Sequence, residues 1–186
     1  MKKILLLIIC VSFYFSANSQ NTRDDQYSIS LGVNAVSNLG TRSPFEKFDD
    51  WAFENPIALG FQVKWNKLFG VEQSVSFNKF TQNSFIDGAV LSKDHSYFAT
   101  NTNFKYYVGE HLINSEKLDI FLNGGIGVFQ IEDLNTSLNA GGGITYWFSE
   151  EIGIRYQSLA KFALNTKDYI YDNNHFQHFF ELMYRF

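Results

Sequence analysis

Residues 57–77 read IALGFQVKWNKLFGVEQSVSF. Ile57, Leu59, Phe61, Val63 and Trp65 take every second position, and Ala58, Gly60, Gln62 and Lys64 fill the places between them. After the tight link at 66–68 the alternation resumes. Phe69, Val71, Val75 and Phe77 form one face, interrupted by Gln73, and Gly70, Glu72, Ser74 and Ser76 form the other. A period of two belongs to a β-strand whose two faces meet different surroundings.

Working outward, the same pattern runs along most of the chain. YSISLGVNA sets Tyr27, Ile29, Leu31, Val33 and Ala35 against Ser28, Ser30, Gly32 and Asn34, and the closing stretch FFELMYRF sets Phe180, Leu182, Tyr184 and Phe186 against Phe179, Glu181, Met183 and Arg185. Eight such segments are expected, at about 27–36, 56–65, 69–80, 96–107, 118–131, 136–148, 152–160 and 174–186. Twenty Phe, ten Tyr and thirteen Gly against two Pro make a β composition. The links alternate in length. Those at 37–55, 81–95 and 161–173 are long, those at 66–68 and 149–151 are tight, 108–117 is intermediate and 132–135 is short. An even number of strands, each near the ~9–11 residues of a membrane crossing, with short turns at one end and longer loops at the other, is the layout of an up-and-down antiparallel transmembrane β-barrel. Only closure removes unpaired sheet edges, and in lipid those edges must be removed.

The first twenty residues, MKKILLLIICVSFYFSANSQ, carry Lys2 and Lys3, an apolar run from Ile4 to about Phe15, and small residues at Ala17 and Ser19. That is a signal peptide over residues 1–19, leaving a mature barrel domain at 20–186. Ile9 before Cys10 argues for plain cleavage over lipidation, and the run is shorter than the ~20 residues of a spanning helix. Cleavage removes the single cysteine and leaves 13 basic against 19 acidic side chains. Export without disulfides requires a fold that holds by other means, and the acidic balance argues against nucleic acid as a partner. Nothing downstream reaches 18 consecutive apolar residues, so no transmembrane helix is predicted.

A soluble barrel would show the same alternation with its apolar face inward. Here the non-apolar face consists of Gly, Ser, Asn, Thr and Gln with charges at Lys64, Glu72, Lys105, Arg155, Glu181 and Arg185. Small residues and opposed charges suit the narrow interior of an eight-stranded barrel. These six are expected to lie inward near the short turns as a lumen charge network, with Asp119 as a further carboxylate, although some could reach water at the mouth. The apolar face gathers Tyr27, Trp65, Phe69, Tyr106, Tyr146, Phe148, Tyr184 and Phe186 near the short turns, where an interfacial aromatic girdle sits.

The signal peptide, the eight alternating segments and the terminal ELMYRF together resemble the small OmpA/OmpX-type outer-membrane β-barrels of Gram-negative bacteria. Gln20 after a small residue is similar to exported proteins of the Bacteroidetes group. The resemblance implies a monomer in the outer membrane, in contact with its lipids and lipopolysaccharide. It also implies that Phe186 is an assembly signal read by the barrel-assembly machinery.

Catalytic and cofactor motifs are not evident. His95, His111, His175 and His178 show no metal-ligand spacing, and on one strand His175 and His178 would face opposite ways. Ser96 beside His95 and Asp172 near His175 lack a hydrolase motif. The glycines of NGGIG (123–127) and AGGGI (140–144) lack the lysine and helix of a phosphate loop. No cofactor is expected. The reading is a non-enzymatic barrel with a filled lumen and a structural or surface-interaction role; a barrel enzyme acting on lipid or peptide, or a narrow passive channel, are the alternatives.

One stretch breaks the period of two. In TRSPFEKFDDWAFEN, Ser43, Pro44 and Glu46 form a helix start with a capping box, and Asp49 and Asp50 favour the first turns. A short helix is predicted from about Pro44 to Phe53, placing Phe45, Phe48 and Trp51 on one face. That aromatic face either caps the lumen or contacts lipid or a partner.

Overall fold

The computed structural model describes residues 25–37, 44–46, 48–86, 89–113, 115–164 and 174–186. The expected signal peptide and Gln20 lie outside the described residues. The strands are β1 (Gln26–Val36), β2 (Ile57–Lys64), β3 (Phe69–Phe80), β4 (Phe85–Ile86), β5 (Ala89–Val90), β6 (His95–Tyr106), β7 (Leu118–Gln130), β8 (Leu134–Trp147), β9 (Ile152–Ala163) and β10 (His175–Arg185). The eight long strands coincide with the eight alternating segments to within a few residues. β4 and β5 form a small separate hairpin in the link between β3 and β6.

The long strands close into one antiparallel barrel in the order β1-β10-β9-β8-β7-β6-β3-β2. Each strand pairs with its neighbours in sequence, and β1 closes the ring by pairing with β10. Leu31 lies opposite Leu59 of β2 on one side and Leu182 of β10 on the other. The amide of Phe186 donates to the carbonyl of Tyr27 at 3.0 Å, so pairing with β1 runs to the last residue given.

The apolar face is outside. Leu31, Ile57, Leu59, Phe61, Ile126, Leu138, Phe162, Leu182 and Tyr184 are exposed, while Ser30, Gln62, Ser74, Asn101, Asn139, Gln157 and Gln177 on the alternate positions are buried. Burying polar groups while exposing Leu and Phe inverts the arrangement of a soluble barrel. It is favourable only where the exterior solvent is hydrocarbon.

At the short-turn end the rings meet one another. Tyr27 stacks between Phe61 (6.4 Å) and Phe186 (6.3 Å), Phe69 lies 5.3 Å from Tyr106, and Tyr146 lies 5.4 Å from Phe148. Inside, crowding demands glycine. A Cβ on Gly125 would overlap the carbonyl of Thr102, and one on Gly141 the carbonyl of Ser158. This close backbone approach accounts for Gly125 of NGGIG and Gly141 of AGGGI.

The helix predicted for Pro44–Phe53 shrinks to one 3-10 turn at Phe48–Asp50. Ala52 forms an antiparallel bridge with Val36, through N–H donation in each direction (2.9 and 3.2 Å). The chain gives up helical pairing there to extend the sheet. Ser43, the predicted cap, lies outside the described residues. A four-residue helix, Gly109–Leu112, sits instead in the link between β6 and β7.

Candidate functional site

The lumen is filled in layers. Arg155 on β9 faces Glu181 directly across the ladder to β10. Its Nε and Nη2 donate to Glu181 Oε2 at 2.9 and 2.7 Å, and Nη1 pairs with Glu72 of β3. Glu72 also accepts from Lys105 Nζ (2.8 Å) and Gln157 Nε2 (3.2 Å). Ser30 donates to Glu181 Oε1 (2.8 Å), and Gln62 Oε1 accepts from both Lys105 (3.0 Å) and Arg155 (3.2 Å). All four charged side chains are at most 1% exposed. A ring of paired, hydrogen-bonded charges from β3, β6, β9 and β10 therefore crosses the bore, with the Phe121 ring 4.2 Å from Lys105 Nζ.

Of the six predicted lumen charges, the structure brings Glu72, Lys105, Arg155 and Glu181 into this quartet. Lys64 stands nearer the mouth in a second pair. Its Nζ lies 3.2 Å from Asp119 and 4.0 Å from Glu110, over the Tyr107 ring at 3.9 Å, and Asp119 also accepts from Trp147 Nε1 at 2.8 Å. Arg185 belongs to neither group. It lies against Trp147 (4.3 Å) and donates to the Glu150 carbonyl (2.7 Å) and Gln26 (3.3 Å). Arg185 is the last residue of β10, so it projects into the vestibule and misses the bore. That vestibule, about 1140 Å³ in volume, is lined by Lys64, Asp119, Trp147 and Arg185 among others.

Beyond the quartet lies a layer of amides that also holds Lys161. Asn139 Nδ2 donates to Asn101 (3.1 Å) and Asn103 (3.3 Å), Gln177 donates to Ser76 (2.7 Å), and Asn78 donates to the Asn34 carbonyl (2.9 Å). Lys161 Nζ donates to Asn101 Oδ1 at 2.5 Å. At the long-loop end the lumen closes with an apolar cluster of Val36, Phe80, Tyr97, Ala99, Phe129 and Ile131, completed by Ala52 and Leu91 from the first two long loops.

The loop aromatics Phe45, Phe48 and Trp51 do not form this cap. Trp51 stacks on His178 outside the barrel, with ring centroids 4.5 Å apart and planes within 5°. Phe45 lies 5.5 Å from the same imidazole, and Tyr156 OH hydrogen-bonds His178 Nδ1 at 2.9 Å. Phe45 and Phe48 remain exposed, as does Phe53. To the cap of Val36, Phe80, Tyr97 and Phe129 this stretch contributes only Ala52, while Phe45 and Trp51 lie against His178 on the outer wall.

The histidines stand apart. His175 faces inward, 2.9 Å from Tyr97 OH, and His178 faces outward. His95 lies 3.5 Å from Glu132, with Ser96 on the opposite face of β6. Asp172 lies outside the described residues. Among the described residues no group of three or more His, Cys, Asp or Glu could hold a metal ion.

No protein-family model matches the sequence, and no curated protein does. Solved structures do match. Ail, the attachment invasion locus protein of Yersinia pestis, crystallised with the heparin analogue sucrose octasulfate, superposes with a TM-score of 0.55 at 18% identity over 87% of this chain and 99% of that one. The fold is that of the small outer-membrane β-barrels. Two further outer-membrane-type barrels agree. Neisserial surface protein A gives 0.53 at 9% identity, covering 87% of this chain and 97% of its own. The N-terminal barrel domain of Pseudomonas aeruginosa OprF gives 0.52 at 11% identity, covering 88% and 98%. Such identities carry the fold alone. The barrel's own exposed Leu and Phe band independently requires lipid around it.

Proposed function

We propose that the protein is a sealed, non-enzymatic barrel of the outer membrane whose task is to hold its long loops at the cell surface. The observation that carries this reading is the filled bore. The quartet of Glu72, Lys105, Arg155 and Glu181 crosses it, and the Val36–Phe80–Phe129 cluster closes its long-loop end. A plug held by several mutually dependent ion pairs opposes conduction, and what remains for interaction is the loop surface. The long-loop end is taken as the outer side, with the aromatic girdle at the inner interface. Lipopolysaccharide is then the lipid against the upper wall, and Phe186, paired to β1, serves as the assembly signal.

The loop surface is acidic and aromatic. Glu46, Asp49, Asp50 and Glu54 flank exposed Phe45, Phe48 and Phe53 in the first loop, and Glu132 and Asp133 occupy the third. Such a surface suits apolar or cationic partners. A sulfated sugar of the kind seen with Ail meets like charge here, so weak binding is expected. Adhesion of cells expressing the wild type is compared with that of Phe45→Ala/Phe48→Ala/Phe53→Ala at equal amounts of folded protein. Adhesion should fall in the triple variant, and expression without any gain in adhesion would remove the surface-interaction reading.

A further inference from the structure

The lumen holds more positive than negative charge. Lys105, Arg155 and Lys161 are buried there with Glu72 and Glu181, each at most 1% exposed. The quartet is internally paired, which leaves Lys161. Among the described residues its ammonium has one hydrogen bond, to Asn101 Oδ1, and the face of Phe129 at 5.6 Å. No carboxylate lies within ion-pairing distance of it among the described residues. The wall is sealed on one side by the quartet and on the other by the apolar cluster.

Among the described residues, the buried Asn103 Nδ2 has no hydrogen-bond partner. Asn103 belongs to the same amide layer as Lys161, since Asn139 Nδ2 is shared between Asn101 and Asn103. An unpartnered buried donor in the layer of a lone cation marks a space for a small polar guest. An isolated buried cation gives that space its sign, because an uncompensated charge in a low-dielectric interior is strongly unfavourable.

We propose that the amide layer of the lumen is an internal site for one small monovalent anion, of the halide class, held by Lys161 and by amide N–H groups such as that of Asn103. The anion makes the bore neutral and occupies donors that the protein leaves unused. Its place between quartet and cap means that it is taken up as the barrel folds and is retained afterwards. The site is a structural counter-ion site, distinct from the loop surface.

The test folds the purified full-length chain from denaturant into detergent with bromide as the sole halide, and locates bromide by anomalous diffraction. A peak in contact with Lys161 Nζ is expected. In solution, the denaturation midpoint should rise with chloride concentration and stay flat with gluconate at matched ionic strength. Lys161→Met should abolish that dependence. Asn103→Asp, which supplies a fixed carboxylate in the same layer, should abolish it as well and serves if Lys161→Met does not fold. Water alone beside Lys161, bromide at the outer surface as an adventitious ion only, or halide dependence persisting in Asn103→Asp would each overturn the proposal.

Discussion

Arg155 and Glu181 sit directly opposite each other on β9 and β10, and the guanidinium meets the carboxylate through two hydrogen bonds of 2.9 and 2.7 Å at the centre of the bore. The pair is fully desolvated, so each partner depends on the other. Glu181→Gln leaves Arg155 with Glu72 alone, and Lys105 competes for that same carboxylate. A loss of about 3–5 kcal/mol is expected, measured as the folding free energy in lipid vesicles. Arg155→Met with Glu181→Leu should recover much of it, because replacing both members leaves no unpaired charge.

The outer band gives a prediction of opposite chemistry. Leu59 is exposed, between Leu31 and Val75 on neighbouring strands. Leu59→Arg should cost about 2–4 kcal/mol in vesicles if the site lies near mid-bilayer. The same change at Lys67, in the tight turn beyond β2, should be close to neutral. Equal tolerance at both positions would contradict a lipid-facing exterior.

Trp51 and His178 provide a test of where the first loop rests. Trp51→Ala removes a stacked ring pair, of the kind worth about 0.5–1.5 kcal/mol beyond area burial, and should lower the melting temperature. Phe53→Ala, at an exposed ring, should leave it nearly unchanged. The converse ordering would show that the loop packs elsewhere.

The second loop carries a titrating contact. Asp94 accepts from Lys79 Nζ at 2.7 Å and from the Gln82 amide at 2.7 Å. The lysine first and then the amide hold its carboxyl below the usual 3.8. A depressed folded-state value means the contribution is present above the unfolded value and is lost as pH falls through the folded one. Stability of the wild type should therefore decline in acid more than that of Asp94→Asn. Parallel pH profiles of the two proteins would show that the contact contributes nothing.

The barrel was legible because alternation of apolar and small polar residues is written along every strand, and links such as 66–68 and 149–151 leave room only for turns. Glu72, Lys105, Arg155 and Glu181 were legible as inward charges from the non-apolar phase, whereas Arg185 on the same phase ends in the vestibule, and Lys161, at the start of the link expected at 161–173, lies inside on an extended β9. The pairing of the first four was not legible. Arg155 meets Glu181 by register, but Lys105 meets Glu72 although the ladder sets it opposite Gly70. Long side chains reaching along and across a bore create such contacts, and one strand's sequence does not contain them. His178 shows a second limit. Its phase points it outward, yet Trp51 from a loop over a hundred residues away covers it. The capping box at 43–46 predicted a helix from local propensity, and the Ala52–Val36 bridge overrode it.

A sealed bore leaves the loops to carry the function, and single-channel recording from the purified protein in planar bilayers tests that closure most directly. The wild type should show no steady ion-conducting steps, whereas Arg155→Ala/Glu181→Ala, with the central pair removed, should open small ones. A large, stable conductance from the wild type would contradict the closed lumen and, with it, the assignment of function to the loops.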